Sequence, residues 1–279
     1  MNNMDIGMLR DEIEKIDSLP TIPTILKRLL GIIENPFVSL NEIGNFISSD
    51  PVLASRVLKM VNSPVYGFPG RISSINQALI LLGLNVVKGM LLGVSVFEAM
   101  QKTMVGLWEH SVGCAITARI LAYRKGLKDP EEVSVAALLH DMGKVIFGLK
   151  FPDEYKKIIS ESEDNLILEV ERSYFKVDHS NAGSWIAQKW NFPRNLVEVI
   201  EYHHKPHLSR NMSVQTAIVH ISDIIIRAKG FGFAGDIFVP AINDSAWNTL
   251  NLSERDLKEI IHELDDSLEE AEDFLFSDE

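Results

Sequence analysis

No stretch of this sequence alternates apolar and polar residues cleanly enough to make a half-buried strand, and no Asn-Gly or Asp-Gly pair joins two such runs. Apolar residues instead return every three or four positions, as Val214, Ala217, Ile218, Ile221 and Ile225 do in "SVQTAIVHISDIIIRAK". Helix-start signals agree with that period. Asp50-Pro51 and Asp129-Pro130 each place a capping acid before a proline at the first helical position, and Ser39 with Glu42 has capping-box spacing. The fold expected is all-α. A break near residues 100–105 divides it into an N-terminal helical subdomain, 1–103, and a second helical subdomain, 104–279, that ends in an acidic helix.

The most apolar region, "ALILLGLNVVKGMLLGVSVF" at 78–97, contains Asn85 and Lys88. A lysine near a bilayer centre costs about 2.5–3.5 kcal/mol on insertion scales, so buried helices joined near Gly83 are expected rather than a membrane span. The start, "MNNMDIGMLRDEIEK", has no apolar core of the signal-peptide kind. With a single cysteine, Cys114, there is neither a disulfide framework nor a cysteine-rich metal site, and a cytoplasmic location is expected.

Charge is unevenly placed. Residues 253–279 hold 12 acidic against two basic residues, so ten of the chain's twelve net negative charges lie in the last helix. That balance repels phosphate backbones and argues against nucleic acid as the main partner. "SLNEIGNFISSDPVLASRVLK" imitates a helix-turn-helix with Arg56 and Lys59 on its second helix, but lacks a basic surround and reads better as a packed hairpin. In the last helix Leu257, Ile261, Leu264, Leu268, Ala271 and Leu275 form a narrow seam. It either docks on its own domain or pairs with a partner, a second copy included.

"AALLHDMGKVIFG" at 136–148 puts His140 and Asp141 inside an apolar helix, where their side chains should diverge by about 100°. An unpaired buried charge costs several kcal/mol, roughly, so the interior must supply a partner. Further ionisable groups lie beside the apolar stripes of other helices: His110, His179, His203, His204, His220 and Asp223. Imidazoles and carboxylates on facing helices are the ligand set that holds metal ions in helical bundles. They suit a divalent transition metal (Fe, Mn, Zn, Co or Ni), as one or two ions.

"HDMGK", with His110 upstream and Asp223 downstream, resembles the His-Asp superfamily of metal-dependent phosphohydrolases. "LPTIP", "SSDPVLASRVLKMVNSPVYG" and "ISSINQALILLG" are similar to the HDOD family of bacterial signalling proteins; together these motifs span roughly residues 18–228. The resemblance implies a helical HDOD fold in which His110, His140, Asp141 and Asp223 hold one ion. "DHSNAGSWIAQKWNFPRNLVEVIEYHH" further resembles the two-metal HD-GYP branch, which cleaves cyclic di-GMP. By that likeness His179 and His203 or His204 serve a second ion, Asp141 bridges, and Lys144 meets a substrate phosphate. The Gly-Tyr-Pro segment is replaced by "KPHLSRNMS", and Gly106 stands where some relatives carry a third-ion glutamate, so cyclic di-GMP specificity is not implied.

Two functions follow from the resemblance. One is a regulatory protein that binds metal and signals through a protein partner. The alternative is a phosphohydrolase, a phosphodiesterase or nucleotidase acting on a phosphate-containing small molecule, with Asp141 and Lys144 at the reacting centre.

Overall fold

The computed structural model of the chain describes residues 5–15, 32, 38–66, 68 and 71–276, with residues 52, 92, 94–99 and 273–276 as backbone only. The "LPTIP" motif lies outside the described residues. Those residues form fourteen α-helices and no strand. In chain order they are α1 (Ile6–Glu14), α2 (Leu40–Ser48), α3 (Pro51–Val61), α4 (Ile75–Thr103), α5 (Leu107–Arg124), α6 (Pro130–Leu139), α7 (Met142–Lys150) and α8 (Pro152–Glu161). Then come α9 (Ile167–Phe175), α10 (His179–Lys189), α11 (Arg194–Tyr202), α12 (Ser213–Lys229), α13 (Asp244–Leu250) and α14 (Glu254–Phe276), with a 3-10 turn at Pro206–Leu208. The fold is all-α.

Two of the local start signals act as their chemistry requires, while Asp129 stands at the N-cap of α6 without a side-chain capping bond. Ser39 and Glu42 close a reciprocal capping box at α2. The Leu53 N–H donates to Asp50 Oδ1 at 3.0 Å, capping α3. The α2–α3 hairpin that imitates a helix-turn-helix buries Ile43, Ile47, Leu53, Val57 and Met60 and packs on α4.

Helix α4 is the spine, in contact with α2 and α3 on one side and with α6 and α7 on the other. Gly83 interrupts it with φ 79°, ψ 166°, a conformation closed to residues bearing a Cβ, so two helical stretches meet there at an angle. Lys88, which argues against a membrane span, is satisfied inside the protein: Nζ donates to the Asn191 carbonyl at 2.6 Å and sits 4.8 Å from the Phe192 ring centroid. Among the described residues no helix is long and apolar enough to cross a membrane.

Helices α5, α6, α7, α10, α11 and α12 pack around one interior. Helix α14 lies on α5, burying Ile260, Leu264, Leu268 and Ala271. Arg124 pairs with Glu259 and Glu263, and Lys229 with Asp265, along its flank. The acidic helix thus docks on its own chain. Its buried seam runs through Ile260 rather than Ile261, because the helix settles with Leu257 and Ile261 at the rim of the contact.

Candidate metal centre

The expectation that residues 136–148 form one apolar helix through His140 and Asp141 is corrected by the structure. The chain leaves α6 at Leu139 and re-enters α7 at Met142, with Asp141 at φ −93°, ψ 6° between them. The cause lies one residue on. A Cβ on Gly143 would stand 1.9 Å from the His179 carbonyl oxygen, so α7 meets the start of α10 backbone to backbone. Reaching that contact turns the chain at the His-Asp pair. Their side chains therefore converge instead of diverging by a helical step, with His140 Nε2 3.3 Å from Asp141 Oδ2.

Around this joint the structure gathers the ligand candidates named from the sequence, His220 excepted. His110 comes from α5, His179 from the first position of α10, His203 and His204 from the end of α11, and Asp223 from α12. Their ligand atoms fall into overlapping groups, each within 4.8 Å of one another: His110, Cys114, His140 and Asp223; His140, Asp141 and His203; His179, His203 and His204. Asp141 presents Oδ2 to His110 Nε2 at 3.6 Å and to His140, and Oδ1 to His179 Nε2 at 3.1 Å. All are buried except His204, which is half-buried.

The tautomers are set from behind. His140 Nδ1 lies 2.6 Å from the Ala137 carbonyl, and His203 Nδ1 lies 2.7 Å from the Ile200 carbonyl. A carbonyl only accepts, so each Nδ1 carries the proton and each Nε2 offers a bare lone pair. Both Nε2 atoms are buried without a hydrogen-bond partner, whereas Asp141 Oδ1 faces His179 Nε2. Each orphaned polar atom costs about 1–3 kcal/mol, and such atoms are rare in native interiors. Two bare lone pairs aimed into one interior beside the Asp141 carboxylate are what a metal ion satisfies, so the residues fit a divalent cation. His140, His203, His179, His110 and the two aspartates would hold it.

His179 is steered by a residue that sequence reasoning missed. Glu171, fully buried on α9, accepts from His179 Nδ1 at 2.6 Å, from the His179 backbone N–H at 2.8 Å and from the Tyr155 hydroxyl at 3.0 Å. A carboxylate behind a ligating imidazole is the usual outer partner of a metal site. Its sequence signal was a glutamate that shares the buried face of α9 with Ile167, Val170 and Phe175. Cys114, dismissed above for want of further cysteines, sits one turn after His110 with Sγ 3.5 Å from His110 Nε2. His220, by contrast, is structural. Nδ1 donates to the His203 carbonyl at 2.8 Å and Nε2 accepts from the Asn243 N–H at 3.0 Å, leaving no lone pair free.

The electrostatics follow from burial and neighbours. Burial, with His140 and His179 close by, pushes His203 down to about 3. Burial pulls His140 and His204 down as well. For His179 burial is outweighed by Glu171 and Asp141, which hold it up at about 9. Asp141 resists the upward pull of burial because His140, Lys144 and His179 surround it, and Asp223 does so through Arg227 at 3.0 Å. Lys144 has no exposed surface. Its ammonium donates to Asp141 Oδ2 at 2.6 Å and to the Ala234 carbonyl at 2.8 Å, so here it balances the carboxylate inside the protein.

Comparison with known proteins agrees with this architecture. The HDOD domain family matches residues 19–206, about two thirds of the chain. An uncharacterized protein of Treponema pallidum is 29% identical over 223 residues, covering 77% of this chain and 43% of that protein. The chain spans less than half the length of the curated relatives it matches. The crystal structure of an HDOD domain protein of unknown function from Geobacter sulfurreducens aligns with a TM-score of 0.71 at 28% identity, over 97% of this chain and 98% of that one. A Shewanella amazonensis protein provisionally named a phosphohydrolase aligns with a TM-score of 0.67 at 23% identity, over 94% and 97% of the two chains, and shares the fold. By its sequence match and its helical architecture alike, this chain belongs to the HDOD domain family.

Proposed function

We propose that the chain is an HDOD regulatory protein of the cytoplasm that holds one or two divalent transition-metal ions in this centre and signals through contact with a protein partner. The observation that carries the metal assignment is the pair of buried, unpartnered imidazole nitrogens, His140 Nε2 and His203 Nε2, beside the buried Asp141 carboxylate. Burial favours the regulatory role. Asp141, His140, His179 and Lys144 are each at most 1% exposed, so the centre presents no open face to a substrate in this conformation.

A second reading, metal-dependent hydrolysis of a phosphate ester, is favoured by one feature: Asp141 points its two oxygens at two different histidine groups. Bound ions supply Lewis acidity and lower the pKa of coordinated water in such sites. The chain's own part would be to hold the ions through His and Asp, with Lys144 offsetting negative charge. Substrate would enter past His204, the half-buried member.

Elemental analysis of protein purified without chelator tests the first reading, with one to two transition-metal ions per chain expected. Finding none, with none taken up on reconstitution, refutes it. A screen of phosphodiesters, phosphomonoesters and nucleotides on the loaded protein then separates the roles. Turnover that disappears in Asp141→Ala favours the hydrolase; silence with metal bound favours the regulator.

A further inference from the structure

We propose that Cys114 is a metal ligand, a thiolate that completes a mixed sulfur, nitrogen and oxygen site with His110, His140 and Asp223. The inference rests on the metal assignment above and deepens it, since a thiolate decides which metals the site prefers.

The geometry comes from three helices. Cys114 and His110 lie one turn apart on α5, and both face the joint that carries His140 and the α12 residue Asp223. Cys114 Sγ is 3.5 Å from His110 Nε2, and His110 Nε2 is 3.2 Å from Asp223 Oδ1. A tetrahedral ion with sulfur at about 2.3 Å and nitrogen or oxygen at about 2.0–2.2 Å has ligand-to-ligand edges of about 3.3–3.6 Å. The edges at His110, 3.5 Å to the sulfur and 3.2 Å to the carboxylate, lie at or close to that range, and all four ligand atoms lie within 4.8 Å of one another.

An independent observation points the same way. His140 Nε2, in the same four-residue group, is fully buried and has no hydrogen-bond partner. That bare lone pair marks the four-residue group as a place for an ion, with the thiol among its walls, where a buried cysteine alone would behave as a small apolar group. Metal binding satisfies both. The Cys114 S–H bond breaks, its proton leaves to solvent, and the sulfur lone pair forms the bond to the metal, whose charge stabilises the thiolate.

The consequence is selectivity. Thiolate-bearing sites favour Zn, Fe and Co, whereas all-oxygen and nitrogen sites also accommodate Mn and Mg. Because the chain has one cysteine, any thiolate signal reports Cys114 alone.

The test uses the full chain loaded with cobalt(II), with bound metal measured independently. A near-ultraviolet thiolate-to-cobalt charge-transfer band is expected, absent in Cys114→Ser. Cobalt affinity should fall at least about tenfold in that variant, by analogy with the loss on removing even an outer partner of a metal ligand. Affinity for manganese should change less. X-ray absorption of the zinc-loaded, unsubstituted protein needs no variant and should show one sulfur at about 2.3 Å. Bound metal without the band or the sulfur shell overturns the Cys114 assignment and leaves the metal centre standing. Protein that takes up no metal overturns the metal centre and this assignment with it.

Discussion

Replacing Asp141 by asparagine keeps the shape of the side chain and removes its charge, which makes it the sharpest probe of the interior. In the folded protein Asp141 Oδ2 accepts from Lys144 Nζ at 2.6 Å, and neither side chain is more than 1% exposed. At that distance and an effective dielectric of about 20, the two charges attract by about 6 kcal/mol before the cost of desolvating them. Removing one member leaves a buried ammonium held by the Ala234 carbonyl and an amide oxygen. Breaking a buried pair in this way costs about 3–5 kcal/mol, against about 0–1 kcal/mol for an exposed one. Denaturant unfolding of the metal-free protein in chelator should therefore show Asp141→Asn less stable by about 3–5 kcal/mol. Adding Lys144→Met to it should recover part of the loss, because the stranded charge goes with the lysine. Without chelator, Asp141→Asn should also hold less than one ion per chain, since both histidine groups lose a shared carboxylate. A stability change below about 1 kcal/mol would place Lys144 in contact with water and refute the buried pair. Full metal content in the variant would refute the shared-ligand geometry.

Two further outcomes follow from the same packing. Metal-free protein should be most stable near neutral pH. His179, held at about 9 against an ordinary 6.5, binds a proton the unfolded chain lacks, so its contribution is complete below pH 6.5 and lost as pH rises through 9. His203, pushed down to about 3, refuses a proton the unfolded chain accepts, so stability falls as pH drops from 6.5 towards 3. Thermal midpoints in chelator that go on rising between pH 6.5 and pH 9.5 would contradict the His179 assignment, and midpoints that do not fall on going from pH 6.5 to pH 5 would contradict the His203 assignment. Gly143→Ala should destabilise by at least about 1–3 kcal/mol, because its methyl meets the His179 carbonyl oxygen at 1.9 Å and nothing nearby can yield but backbone. The measurement is denaturant unfolding beside Gly7→Ala, a helical control whose Cβ would meet only the end of the Asp5 side chain at 3.2 Å, and equal losses would refute the close approach.

Much of this protein is written locally. Helix period, Asp-Pro starts and the Ser39–Glu42 capping box act within a few residues, so an all-α chain is legible before folding is considered. The histidines and aspartates that cluster in the interior were legible as candidates too, because ionisable groups on apolar helix faces need a partner inside. What could not be read along the chain was how distant backbones meet. The α6–α7 break at His140 and Asp141 exists because Gly143 touches α10, some 36 residues onward. Glu171 earns its role only when α9 lies behind His179, and Cys114 only when α5 and α12 bring His110, His140 and Asp223 to its side. Local sequence settled the helical class and which side chains require company in the interior. Tertiary packing alone decided which atoms face one another, because burial and coordination depend on distances in space that no local pattern encodes.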